Sequence, residues 1–195
     1  MVESGPPTEL NTIHAGVGSF ASTNYGCSDN TCAGFVQVTE DKSSVLGAII
    51  SPTVPVGASD KYCLAVKIQR DQSTGNWWLA IGDSETNIGY WPKEMFNHLN
   101  NGASKVRFGG ETYASSDLLS PPMGSGRLPK EGYQYSALFG KLQYIDSEYS
   151  HIDVISMKPF SDTKPDCYDL KYYDELGKVY RRALMYGGPG GKCDV

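Results

Sequence analysis

Long apolar runs are missing from this chain. The longest, VLGAII at 45–50, is strand-sized, far short of the ~20 residues a bilayer span requires, so no membrane-spanning helix is expected. Basic excess is missing too: 17 Lys and Arg stand against 22 Asp and Glu, for a net charge of −5. A general nucleic-acid binder needs a basic face, and that class is set aside. Histidine occurs three times and no CxxC pair is present, so neither a zinc site nor any other metal site is expected. The Walker loop, the G-x-S-x-G elbow and the H-E-x-x-H pair are all absent, and nothing calls for a cofactor. The first residues, MVESGPPT, have neither the basic start nor the apolar segment of a secretory signal.

What is present points to strands. Gly 22 and Pro 11 make up about a sixth of the 195 residues, above the roughly one-eighth of average proteins. With 13 Tyr and 3 Trp, this composition suits many short strands joined by tight turns and argues against a helical bundle. A chain of this length can bury roughly 70% of its unfolded surface, enough for a core without metal.

The five cysteines leave two readings open. Cys27 and Cys32 bracket the short turn CSDNTC, and Cys167 and Cys193 bracket the last segment, as in an oxidised protein. The alternative is free thiols in a reducing compartment. Cys63 lies in an alternating stretch and reads as an unpaired thiol buried in a strand.

Residues 1–10 read as a loose, proline-bearing arm. Strand patterns follow at 34–38 (GFVQV), 44–50 (SVLGAII) and 61–69, and prolines break the chain at 51–57. The turn DQSTG at 71–75 leads into NWWLAI at 76–81, which predicts a hairpin with Trp77 and Trp78 on opposite faces. A short helix is expected near 92–101, with an early proline and Gly102 past its end. Further strands are expected at 104–108 and 111–114, then a Gly/Pro/Ser loop at 120–126 and alternation at 137–145. The implied fold is all-β, an antiparallel β-sandwich with one short helix, and incomplete.

Among candidate catalytic groups, Glu111 has the most informative setting. It follows Gly109-Gly110 at a strand start, where glycines permit close approach of another backbone. A plain strand-end carboxylate beside a bulge is the competing reading. Glu131, before Gly132, is a weaker second candidate. His98 and His151 read as surface residues. The aromatics of NIGYW at 87–91 can serve as a ligand surface or as core.

Six motifs in order carry a specific resemblance: GNWWL at 75–79, IGYWPKEMF at 88–96, VRFGGE at 106–111, PMGSG at 122–126, DCYD at 166–169 and YGGPG at 186–190. The stretch from about residue 11 to the C-terminus resembles the neprosin family of plant proteins, so residues 11–195 are expected to form a neprosin-like catalytic domain. The resemblance implies a β-sandwich glutamic peptidase that cuts after proline at acidic pH, with a proline-containing peptide or protein as substrate. It also implies secretion, although this N-terminus favours no compartment. In the family two glutamates face each other. One activates the attacking water, and the other stabilises the tetrahedral intermediate and protonates the leaving amine. Two such carboxyls push their acidities apart, which assigns base and acid. By that resemblance Glu111 is one catalytic carboxylate, and the disulfides are Cys27–Cys32 and Cys167–Cys193. Trp77, Tyr90 and Trp91 are the candidate substrate contacts, and with Trp78 they would serve a binding role, because rigid rings pack well against proline.

Three departures shape the expectation. The family's other glutamate lies in a motif resembling NTIEAG, and here NTIHAG at 11–16 places His14 there. Glu9, at an odd offset, is a poor substitute. Only nine residues separate Gly16 from Gly26-Cys27, where the family has roughly thirty; this spacing and the missing upstream strands suggest a product truncated on its N-terminal side. Arg127 stands where the family usually has His. Losing one member of a pair that acts as a unit removes most of the rate enhancement, so weak or absent activity is expected. The alternative is a non-catalytic sandwich that holds Pro-rich peptides or cell-wall glycoproteins.

Overall fold

A computed structural model of the chain describes residues 1–18, 33–114 and 118–193. The backbone is organised in short antiparallel strands, as the composition implies. It separates into two compact units, Met1–Thr53 with Tyr62–Arg107, and Val54–Lys61 with Phe108–Val195.

The first unit holds β1 (Val2–Ser4), β2 (Asn11–Ile13), β3 (Val36–Gln37), β4 (Val66–Arg70), β5 (Trp77–Ile81), β6 (Thr86–Trp91) and β7 (Lys105–Val106). One sheet has the order β2-β1-β7 and the other β3-β6-β5-β4. The expected hairpin is β4–β5, registered with Arg70 opposite Trp77 and Val66 opposite Ile81. Its turn is closed chemically. Asp71 accepts hydrogen bonds from the hydroxyl (2.6 Å) and N–H (2.7 Å) of Thr74 and from the Ser73 hydroxyl (2.8 Å). These bonds hold its carboxyl down at about 2. Gly75 supplies the left-handed φ of +80° that completes the turn. Period-two alternation sends Trp77 and Leu79 inward, where Trp77 packs with Val2, Ile13, Phe96 and Leu99.

Several expectations change here. Residues 1–10 are not simply a loose arm: β1 is the middle strand of its sheet, with Val2 and Glu3 buried, and only 6–10 are exposed throughout. The 44–50 run forms turns instead of a strand. Asp41 accepts from the N–H and hydroxyl of Ser43 and from the Ser44 hydroxyl, and this local capture defeats the β-branched signal. Cys63 is exposed and free because β4 begins only at Val66. The helical segment near 92–101 is a single 3-10 turn, Lys93–Met95. Asn11 explains its shortness, since its Oδ1 takes the N–H groups of Asn97 and His98, both at 2.8 Å, that further helix would use.

The second unit holds β8 (Ala137–Phe139), β9 (Gln143–Ile145), β10 (His151–Asp153), β11 (Asp169–Tyr173), the one-turn helix α1 (Gly177–Tyr180) and β12 (Ala183–Gly187). β12 is the central strand of the order β11-β12-β8, and Ala183, Leu184 and Met185 are buried in succession, as a strand covered on both faces requires. β9 and β10 form a separate hairpin, whose turn is held by Asp146 accepting from the N–H groups of Glu148 and Ser150. Leu142, Val154 and Leu184 form the core, with Phe108, Phe139, Leu170 and Tyr172 packed around it. Cys167 and Cys193 form a disulfide across 26 residues. Cys27 and Cys32 lie outside the described residues.

Candidate active site

Glu111 is placed by what precedes it. Phe108 packs into the core of the second unit and meets Phe139 edge-on at 6.3 Å, while Phe139 stacks on Tyr186 at 5.1 Å with an interplanar angle of 15°. Gly110 lies against this group. A Cβ there would fall 2.5 Å from Met123 Sδ and 2.8 Å from Tyr186 Cε2, so no side chain fits without displacement. The chain therefore rests on an aromatic seat one residue before the carboxylate. Residues 111–114 form no strand, contrary to the alternation-based expectation, and Glu111 is exposed at the end of this seat.

Two of the distant motifs build that seat. Met123 exchanges backbone hydrogen bonds with Gly188, N–H to carbonyl at 2.9 Å and the reverse at 3.3 Å. Ser120 and Gly191 pair likewise, both bonds at 2.9 Å. The PMGSG loop is thus zipped to the YGGPG tail, which delivers Met123 to Gly110. Cys167 accepts the N–H of Gly190 and is bonded to Cys193, fixing the same tail from the other side. Burial pushes the Tyr186 phenol upward, so the ring beneath Gly110 stays neutral.

The carboxylate has a polar partner. The Tyr113 hydroxyl donates to Glu111 Oε1 at 2.8 Å. This hydrogen bond and the negative charge of Glu111 push the Tyr113 phenol above its ordinary value. Tyr113 was not singled out by sequence reading; in an extended segment residues two apart share a face, and that spacing was the available signal. Glu131 is accounted for locally. Its Oε1 accepts the Leu128 N–H at 3.1 Å and its Oε2 pairs with Arg127 at 3.4 Å, so it closes the start of the single 3-10 turn Pro129–Glu131.

In the first unit, Ile13 is buried and His14, just past β2, is exposed, following the strand alternation. Glu9 pairs with His98 at 3.3 Å. Trp77 does not present its ring as expected of a substrate contact. It is buried, and its indole N–H donates to the Leu99 carbonyl at 3.0 Å, because the inward face of β5 consigns it to the core. Its neighbour Trp78, on the other face, is half-buried and lies 4.9 Å from Tyr90. Trp91 meets Phe35 edge-on at 4.7 Å.

Among the described residues, no three His, Cys, Asp or Glu side chains form a group able to hold a metal ion. No helix among them is long and apolar enough to cross a membrane. A depression of about 350 Å³ in the second unit is lined by Tyr133 and by 176–180, away from Glu111 in sequence and sharing none of its seat. Compared with known protein families, the chain matches the family model described as Neprosin over residues 9–189.

Proposed function

The chain belongs to the Neprosin family, and from that premise we propose that it is a glutamic peptidase domain directed at proline-containing peptides, cutting after proline at acidic pH, with Glu111 as its surviving catalytic carboxylate. The observation that carries the reading is Glu111 itself: it ends the Gly-Gly-Glu motif, its chain is seated on Met123 and Tyr186, and its carboxylate is exposed to reactants. In the reaction, one carboxylate accepts a proton from water as the water oxygen adds to the scissile carbonyl. A second acid then gives a proton to the amine as the C–N bond breaks. His14 stands at the sequence position of that second group. The pair of carboxyls that acts as a unit in the family is therefore incomplete here, and losing one member of such a pair removes most of the rate enhancement, so the chain as it stands is weak or inactive.

The family and the Cys167–Cys193 disulfide fit an extracellular protein, and we extend this to secretion. A second reading is binding without cleavage, of Pro-rich peptides or wall glycoproteins. The half-buried Trp78–Tyr90 pair favours it, since rigid rings pack well on proline.

Cleavage of a quenched proline-containing peptide from about pH 2.5 to 7 tests both readings, using the native chain, Glu111→Gln and His14→Glu. A gain in His14→Glu that disappears when Glu111→Gln is added supports the peptidase. Silence from every folded variant refutes it, and retention of the intact peptide then favours the binding reading.

A further inference from the structure

The contact between Tyr113 and Glu111 is local, yet it bears on the exposed carboxylate and not on the core. Tyr113 is 61% exposed, so burial of its ring contributes little to where it sits. Its hydroxyl reaches one carboxylate oxygen, Oε1, at 2.8 Å. The backbone before Glu111 is fixed independently, by the close approach of Gly110 to Met123 and Tyr186. The glutamate is therefore restrained at two points, its main chain by the aromatic seat and its head group by a phenol. A carboxylate held only by its backbone retains several rotamers of a long side chain.

We propose that Tyr113 is a positioning residue for Glu111, holding Oε1 and thereby orienting the carboxylate that takes the proton of the attacking water. This rests on the reading of Glu111 as the working carboxylate. The chemistry suits an acidic reaction. A phenol remains protonated throughout the acid range and keeps donating, whereas a histidine or carboxyl partner would change its role as it titrates. Tyr113 neither gains nor loses a proton in the reaction; it acts through Glu111 alone.

Two measurements decide the matter, one of them independent of activity. In the native chain labelled with carbon-13 at tyrosine Cζ, and with the signal assigned by Tyr113→Phe, the Tyr113 phenol is expected to titrate above the ordinary value of 10.0 and to fall toward it in Glu111→Gln. A Tyr113 that titrates like exposed tyrosines, or that Glu111→Gln leaves unmoved, overturns the proposal. In a His14→Glu background, Tyr113→Phe is expected to lower kcat about tenfold while KM changes less than about twofold, the signature of an interaction used in the transition state. An unchanged kcat in an active His14→Glu chain also overturns it. If His14→Glu cleaves nothing, the peptidase reading has failed, and the titration alone still decides whether Tyr113 holds the carboxylate.

Discussion

Glu3 offers a test in which burial predicts an asymmetry. Its side chain is 4% exposed, and its Oε1 receives both Lys105 Nζ at 2.8 Å and Arg107 Nη2 at 2.9 Å. The two cations are 58% and 46% exposed, so each can return to water if its partner is lost. The carboxylate cannot. Replacing both cations, Lys105→Met with Arg107→Met, strands a buried charge, and breaking a buried pair in this way costs about 3–5 kcal/mol. Glu3→Gln instead leaves a neutral amide that keeps one acceptor and two cations that rehydrate, for a loss of about 1–2 kcal/mol. All three tryptophans, Trp77, Trp78 and Trp91, belong to the first unit, so urea unfolding followed by tryptophan fluorescence reports on that unit. With a urea slope of about 2 kcal/mol/M, the two variants should differ in midpoint by roughly 1 M.

The same carboxylate sets a pH dependence. Burial alone would raise the Glu3 pKa, but hydrogen bonds from Lys105 and Arg107, reinforced by their charges, outweigh it and hold the carboxyl below its ordinary value of 4.5. The unfolded chain thus takes up this proton more readily than the folded one. The stability contributed by Glu3 is fully present above 4.5 and is lost as pH falls through the lower folded value. Glu3→Gln should flatten that acid loss, measured by urea midpoints between about pH 6 and pH 3. Equal costs for the two variants at neutral pH, or an acid slope that Glu3→Gln leaves intact, would refute the reasoning.

Three further outcomes follow from packing. Leu99 has no exposed surface and also fixes the Trp77 indole through its carbonyl, so Leu99→Ala should destabilise the first unit by about 3–5 kcal/mol in the same fluorescence assay. Cys167→Ser with Cys193→Ser opens a loop of 26 residues and should cost about 3 kcal/mol, seen as faster amide exchange along β11 and β12; unchanged exchange would count against the clamp. Gly110→Ala places a methyl group against Met123 and Tyr186 and should cost about 1–3 kcal/mol, with loss of the near-ultraviolet tyrosine signal from the Phe139–Tyr186 stack.

Legibility followed locality. The β4–β5 hairpin could be read because alternation, an Asp-led turn and a glycine agree over sixteen residues. Glu111 was singled out because its motif is contiguous. The 44–50 strand and the 92–101 helix were misjudged in extent because side chains outside each window, Asp41 and Asn11, take backbone or hydroxyl donors that local propensity assumes available. The seat under Gly110 was hidden for another reason. Met123 and Tyr186 lie 13 and 76 residues downstream, one in a loop and one at the end of β12, and nothing periodic marks a loop and a tail that pair by isolated bridges. Similarly, residues 54–61 leave the first unit to join the second, where Gly57 donates to the Gln134 carbonyl, and no pattern in a proline-broken stretch announces that exchange.

The acid lability expected of Glu3 bears on how the proposed chemistry must be judged. A peptidase that works at low pH meets a first unit that loses part of its stability in the same range, so a fall in cleavage toward acid has two sources. They separate because their reporters lie in different units. Unfolding of the first unit changes tryptophan emission, whereas Glu111 and Tyr113 lie in the second unit, which has no tryptophan. If cleavage by His14→Glu declines together with tryptophan emission, and both move when Glu3 is replaced by Gln, the acid limb belongs to folding. If it declines while emission holds and is untouched by Glu3→Gln, the limb belongs to the chemistry at Glu111.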